Sequence, residues 1–147
     1  MSPGRHDPAG PPGGELTAID TNLLVRLLVA DDAAQARRAL AVVEAAPVWI
    51  AKTVLLETVW VLRSAYALDE ARLRDLVARL FRVEGVVIEA RAEVERAVAW
   101  WGEGLDFADA LHLASAATAA ATRLTTFDRA FARRARKIST RPPVEPV

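Results

Sequence analysis

The chain has 147 residues, 52% of them hydrophobic, which indicates one globular domain rather than a disordered or fibrous chain. Lysine plus arginine equals aspartate plus glutamate at 19 each, so the net charge does not point to a polyanionic partner. There is no cysteine, which excludes a disulfide framework and a thiolate metal site. No apolar run approaches the ~18 residues that a membrane span requires. These features fit a cytoplasmic protein with no membrane partner.

The first 14 residues, MSPGRHDPAGPPGG, are rich in proline and glycine and cannot bury apolar surface. We predict a disordered tail over residues 1–14. The tail has no apolar core of the kind found in signal peptides. Residues 15–147 are predicted to fold as one domain.

The folded part is predicted to begin with a strand at residues 16–19, which runs directly into Asp20. A helix follows, with apolar residues on one face at Leu23, Leu24, Leu27 and Leu28. A carboxylate therefore lies where a strand passes into a helix. In open α/β sheets, ligands bind at this carboxyl end of the strands.

The next two helices enclose a short strand, VWI, at residues 48–50. Asp31 and Asp32 can cap the first of these helices, and Thr53 can cap the second. The second helix, VLLETVWVLRSAY, is apolar on nearly all sides, so we expect it to be buried on most of them. Glu57 in the middle of this helix is then unexpected.

The second half of the chain continues the alternation of helices with short strands. Asp69 is predicted to open a helix, which VVIE (86–89) follows as a strand, and two further helices lead to RLTT (123–126) as a fourth strand. FDRAFARRARK is predicted to be the last helix. The final segment, ISTRPPVEPV, can form a fifth short strand ahead of the prolines, which end the regular structure. This order predicts an α/β fold with a short, mostly parallel sheet of four or five strands, flanked by helices.

Four acidic residues lie where the local pattern does not require a charge: Asp20, Glu57, Asp109 and Asp128. Asp109 lies within FADALHLA, on a helix face that should pack in the interior. Asp128 follows the fourth strand across a short turn. Burial of an unpaired carboxylate is costly, so a shared cation is the arrangement that costs least. Oxygen ligands favour Mg²⁺ or Mn²⁺ over zinc.

Each of these acids also has a structural interpretation. Asp20 can be a plain helix N-cap, and Asp128 can complement a helix dipole. Glu57 can pair with Arg63 or Lys52.

Two neighbours of Asp109 need separate interpretation. Asp106, three residues earlier, is best placed to cap the helix, and it can also join the surroundings of the site. His112, one turn later, fits a packed side chain better than a ligand, although a minor role near a substrate stays open. The one dense basic cluster fits RNA phosphates and a solvated face equally well; it comprises Arg129, Arg133, Arg134, Arg136 and Lys137.

The sequence resembles the PIN-domain nucleases and, within them, the VapC-type toxins of bacterial toxin–antitoxin modules. Four blocks, in the order and at the separations of that family, carry the resemblance: AIDTNLLVRLL (18–28), LLETVWVL (55–62), DFADALHLASA (106–116) and TTFDRAFAR (125–133). The resemblance covers essentially everything from Leu16 onward. It implies a PIN-like three-layer sandwich over residues 15–147.

The resemblance also implies an activity and partners. Its four acids fall on Asp20, Glu57, Asp109 and Asp128 as catalytic residues of a Mg²⁺-dependent endoribonuclease. The substrate would be tRNA, rRNA or mRNA. The implied partners are a second copy of the chain, in a homodimer, and a small antitoxin whose tail blocks the active site.

Within that site we expect Asp20, Asp109 and Asp128 to bind Mg²⁺, with Mn²⁺ as a possible substitute, and Glu57 to orient water or help hold a second ion. Asn22 and Thr126 match the polar residues that usually orient the carboxylates in the family.

Two other functions stay open at this point. A phosphatase-type or receiver-type domain also places acids at strand ends, although DTN after the first strand lacks the second aspartate of a D-x-D motif, and Glu89 stands where a receiver needs an aspartate. A non-catalytic interaction domain of PIN fold is the other alternative.

Overall fold

The structure is a computed structural model, which describes residues 14–138 and 140–147. Residues 1–13, which make up nearly all of the predicted tail, lie outside the described residues. Within the described ranges, every predicted helix and strand is present. The elements are β1 (Thr17–Ala18), α1 (Thr21–Val29), α2 (Ala33–Ala45), β2 (Val48–Ile50), α3 (Lys52–Ser64), α4 (Glu70–Leu80), β3 (Val86–Ile88), α5 (Arg91–Gly102), α6 (Phe107–Thr118), β4 (Leu124–Thr126), α7 (Arg129–Lys137) and β5 (Val144–Pro146).

These elements form two compact units. The first contains the described residues up to Asp69 together with Arg79–Ala90, and the second contains Glu70–Ala78 and Arg91–Val147. That residues 15–147 form one domain stays a prediction.

In the first unit the three strands pair in parallel, in the order β1-β2-β3. Helix α1 packs against both α2 and α3. Leu24 of α1 and Leu55 of α3 are almost completely buried, as are Val48 and Ile50 of β2. Because parallel strands end at the same edge, the residues after β1, β2 and β3 all lie at one side of this sheet.

In the second unit, α5 and α6 make the most extensive helix packing. Small residues allow this close approach: Ala97, Ala110 and Ala114 have no exposed surface. Trp101 closes one end of the interface, with its ring 4.8 Å from that of Phe107.

The second unit also contains a parallel pair of strands, β4 and β5. Strand β5 follows Pro142 and Pro143 and includes Pro146, so the expectation of a strand ahead of the prolines was wrong. The prolines are tolerated because the hydrogen bonds between β4 and β5 do not need a proline N–H. Leu124 N donates to the Pro143 carbonyl (3.0 Å), and Val147 N donates to the Thr126 carbonyl (2.9 Å).

The predicted α/β class and the parallel pairing of the strands are therefore present. The five strands, however, form a three-stranded and a two-stranded ladder, not one hydrogen-bonded sheet. Strands of two or three residues carry few ladder bonds, so sequence pattern alone could not define which of them pair. None of the helices in the described ranges combines the length and apolar character needed to cross a membrane.

Candidate active site

In the first unit, Asp20 is the N-cap of α1. It follows β1 in an extended conformation, and its Oδ1 accepts a hydrogen bond from the Leu23 amide at 3.0 Å. The structural interpretation of Asp20 as a helix cap is therefore correct. It does not conflict with a role as a ligand, since a carboxylate has a second oxygen and the side chain of Asp20 is exposed.

Glu57 also belongs to the first unit, but the expectation that its helix is buried on most sides was wrong. Helix α3 is buried along one face, by Leu55, Val59 and Leu62, and not on most sides. Glu57 is exposed, as is Trp60, with 64% of its surface accessible. Burial therefore does not require Glu57 to have a cation as a partner, and its candidacy depends on its place in the motif.

The start of α3 shows an interaction that sequence reasoning missed. Thr53 is not the cap: the helix begins at Lys52, and Ala51 occupies the N-cap without a side-chain hydrogen bond. Instead, Glu89 accepts a hydrogen bond from the Lys52 amide at 2.8 Å. The pairing of Ile50 with Ile88 aligns the ends of β2 and β3 and brings residue 89 to the helix start.

In the second unit, the surroundings of Asp109 oppose ionisation of its carboxyl group. Its side chain is half-buried in the first turn of α6. Burial first, and then the neighbouring charges of Asp106 and Asp128, raise the pKa of the Asp109 carboxyl above its ordinary value. His112 and Arg134 act in the opposite direction without cancelling the effect.

The two neighbouring aspartates of Asp109 are helix caps. Asp106 accepts hydrogen bonds from the amides of Ala108 (3.1 Å) and Asp109 (3.4 Å), which confirms the cap predicted for it. Asp128 caps α7 by accepting from the Phe131 amide at 3.0 Å, and its own amide donates to the Thr126 hydroxyl at 3.0 Å. Thr126 therefore fixes the backbone of Asp128 and so helps to aim its carboxylate.

The caps also explain why acids accumulate here. Amides at a helix N-terminus favour negative charge, and α6 and α7 each begin with an aspartate that satisfies them. The Asp109 carboxylate caps neither helix, yet it is close enough to Asp106 and Asp128 for their charges to act on it. Burial and these two charges disfavour the ionised form of the Asp109 carboxyl.

A cavity of about 330 Å³ opens beside Asp106. Asp106 and Arg134 line it, together with Glu70, Arg74 and Trp101. The indole of Trp101 donates to Glu70 at 2.8 Å, which fixes one wall. The surroundings of Asp106 therefore include both signs of charge and space for a small group.

The donor chemistry of Asp106, Asp109 and Asp128 fits a divalent cation, because all their ligand atoms are oxygens and the carboxylates repel one another. In the described ranges, however, no three acidic, histidine or cysteine side chains form a group that could hold a metal ion. The two findings are compatible, since repulsion acts over longer distances than a metal–oxygen bond of about 2.0–2.6 Å. The predicted meeting of Asp20 and Glu57 with Asp109 and Asp128 stays a prediction.

The comparisons with known proteins agree with the sequence motifs. The family model of the PIN domain matches residues 17–137, a range that includes all four predicted acids. A search of curated proteins found no match. One similar solved structure is the crystal structure of Mycobacterium tuberculosis VapC20, a sarcin–ricin loop cleaving toxin, with 23% sequence identity over 81% of this chain and 94% of that chain and a TM-score of 0.39.

Proposed function

This chain belongs to the PIN-domain family, and we propose that it is a metal-dependent endoribonuclease that acts as the toxin of a toxin–antitoxin module. The family match over residues 17–137 carries the proposal, because it spans the four motifs in which Asp20, Glu57, Asp109 and Asp128 stand. Support also comes from the second unit, where Asp109 is half-buried beside two like charges. A bound cation would relieve that repulsion.

The proposed roles follow from the chemistry of each side chain. Asp20, Asp109 and Asp128 hold Mg²⁺, or Mn²⁺ in its place, through carboxylate oxygens. When bound, the ion polarises the scissile phosphodiester and lowers the pKa of a water molecule at the site. Glu57 orients the attacking water or contributes to a second ion.

Two further side chains position these acids in the proposal. Thr126 holds the turn that presents Asp128, as its hydrogen bond to the Asp128 amide indicates. Asn22, exposed in the first turn of α1, is assigned the corresponding task at Asp20. The proposed partners are an RNA substrate (tRNA, rRNA or mRNA), a second copy of this chain and a cognate antitoxin.

The test is incubation of the purified full chain with end-labelled tRNA, an rRNA hairpin and an mRNA fragment, each with Mg²⁺, Mn²⁺ or EDTA. We expect discrete cleavage with either metal, none with EDTA and none by Asp109→Asn purified in parallel. Equal cleavage by the wild type and Asp109→Asn would identify a contaminating nuclease. No cleavage of any RNA, together with binding of a protein partner, would instead support the non-catalytic alternative.

The toxin role has its own test, because a nuclease need not be a toxin. We expect expression of the chain to arrest growth, and co-expression of the protein encoded by the adjacent reading frame to reverse the arrest. Light scattering on the purified chain tests the homodimer. Arrest that persists in Asp109→Asn would contradict nuclease-based toxicity.

A further inference from the structure

One aromatic side chain of the second unit lies almost entirely in solvent. Phe127 has 86% of its surface exposed, more than any other large apolar side chain in the described residues. The fold gains no core packing from it, in contrast to Phe131, which is 5% exposed. An apolar ring in water costs free energy, so the packing of this unit does not explain a phenylalanine at position 127.

The ring is attached to a well-fixed segment of backbone. On one side, Thr126 ends β4, and its carbonyl accepts a hydrogen bond from Val147 N at 2.9 Å. On the other, Asp128 caps α7, and its amide donates to the Thr126 hydroxyl. Phe127 is therefore presented from a turn that is hydrogen-bonded on both sides, which lowers the entropic cost of engaging a ligand.

The helix that follows the ring supplies a surface of one charge. Helix α7 contains no acid, and its five cations are all exposed: Arg129, Arg133, Arg134, Arg136 and Lys137. Its apolar side is occupied by Phe131, Ala132 and Ala135, which are buried. The cations thus form a solvent-facing surface that begins two residues after Phe127.

A planar ring beside a row of cations is the combination with which proteins bind single-stranded nucleic acid: bases stack on the ring, and phosphates follow the cations. The charge complementarity favours RNA over an apolar partner, because an uncharged partner could form no ion pairs with the five cations. In a continuous duplex, both faces of a base are already stacked. Only an unpaired or splayed base offers a free face to the ring.

We propose that Phe127 is a substrate-positioning residue that stacks on an unpaired base of the RNA, while the exposed cations of α7 contact the phosphates that follow it. This inference rests on the proposed ribonuclease function and deepens it by assigning the residue that positions an unpaired base of the RNA. Because Phe127 directly precedes Asp128, the stacked base lies next to the phosphate that is cut.

The test measures RNA binding in the Asp109→Asn background, which prevents cleavage. The probe is a fluorescein-labelled 12-nucleotide RNA of mixed sequence, free or annealed to its complement, and the readout is anisotropy. We expect Phe127→Ala to weaken binding of the single strand roughly tenfold, as for loss of one base–aromatic stack. Binding of the duplex should change less than about twofold. Phe127→Tyr, which keeps the ring, should restore binding of the single strand.

Two controls separate stacking from other effects. Leu40→Ala removes another exposed apolar side chain, 49% accessible, from α2 and should change nothing. Phe127→Ala should leave the dependence of binding on salt unchanged, because it removes no charge, whereas Arg133→Ala should lower that slope by roughly 0.7. In an otherwise wild-type chain, Phe127→Ala should raise KM for a cleaved single-stranded RNA more than it lowers kcat.

Three results would overturn the inference. The first is equal binding of the single strand by Phe127→Ala and Leu40→Ala. The second is an equal loss of affinity for the single strand and for the duplex. The third is a lower molecular mass of the protein particle in solution for Phe127→Ala than for the other variants, which would assign the ring to a contact between copies of the chain. If the wild type cleaves RNA and Phe127→Ala matches it, only this inference fails. If the wild type neither binds nor cleaves RNA, the proposed function fails with it.

Discussion

The two units place half-exposed aspartates in opposite electrostatic surroundings. In the first unit, burial works against ionisation of Asp31, but hydrogen bonds from Arg26 (2.7 Å) and Tyr66 (3.1 Å) prevail and lower its pKa. In the second, burial and two like charges raise the pKa of Asp109. Asp31 therefore stabilises the folded state as an anion, whereas ionised Asp109 destabilises it.

This contrast separates an acid that serves the fold from an acid for which we propose a function. Arg26 also donates to the Tyr66 hydroxyl at 3.1 Å, so three side chains of the first unit form one closed network around Asp31. Within residues 14–138 and 140–147, no cation donates a comparable set of hydrogen bonds to Asp109. A carboxylate held where its charge is disfavoured is typical of a functional site, where stability is given up for activity.

The largest expected effect that tests this contrast is that of Asp109→Asn. We expect RNA cleavage to fall by at least about 100-fold, since loss of a metal ligand should cost more than loss of its supporting residues. The melting temperature of the metal-free protein should be unchanged or rise by roughly 1–3 °C, a small gain because solvent screens a half-exposed group. Calorimetry and a cleavage assay on the same preparation measure both.

The matched control is Glu103→Gln, which removes a charge from an exposed position in the same unit. It should leave both cleavage and the melting temperature as in the wild type. A marked loss of stability in Asp109→Asn would assign Asp109 to the fold and end the contrast with Asp31.

Glu57→Gln tests the acid that was expected to be buried in α3 but is exposed. Because Glu57 is exposed on α3, we expect the melting temperature to stay within about 2 °C of the wild type. Cleavage should fall roughly 10²–10⁴-fold if the carboxylate takes the proton of the attacking water. Glu44→Gln, an exposed glutamate of α2, is the control, and equal activity of the two variants would remove Glu57 from the site.

Asp31→Asn tests the opposite side of the comparison. Loss of its charged hydrogen bonds with Arg26 and Tyr66 should lower the melting temperature by roughly 1–3 °C and leave cleavage unchanged. Asp32→Asn keeps a capping side chain at the next residue and should have a smaller effect. If both variants melt alike, the network around Asp31 is not stabilising.

The smallest expected effect is a pH dependence with opposite signs for the two aspartates. The folded pKa of Asp109 is raised, so the stability that comes from its protonation is full below the unfolded pKa and is lost as pH rises through the folded value. The advantage of Asp109→Asn over the metal-free wild type should therefore shrink as pH falls from 7 towards about 4.

For Asp31 the folded pKa is lowered, so its contribution is present above the unfolded pKa of about 3.9 and is lost as pH falls through the folded value. The deficit of Asp31→Asn should hold from pH 7 to about 5 and shrink only in stronger acid. Thermal melts across this range measure both differences, and parallel curves for the two variants would contradict the comparison.

Much of this protein could be predicted from local sequence. The order of helices and strands follows from apolar periodicity, and the caps at Asp20, Asp32 and Asp106 follow from the preference of helix starts for short acidic side chains. The family follows from four motifs in a fixed order, and its match includes every predicted site acid. These features depend on residues within a few positions of one another.

Other features depend on residues far apart in the chain, and only the tertiary structure decided them. Helix α3 has an apolar pattern on most sides, but the neighbours that cover it reach one face and leave Glu57 and Trp60 in solvent. Glu89 caps α3 because two parallel strands set residue 89 beside residue 51. Phe127 is exposed and Phe131 buried although both belong to one short motif. Periodicity tells which side chains need cover, whereas burial and charge environment depend on what the rest of the chain brings to them.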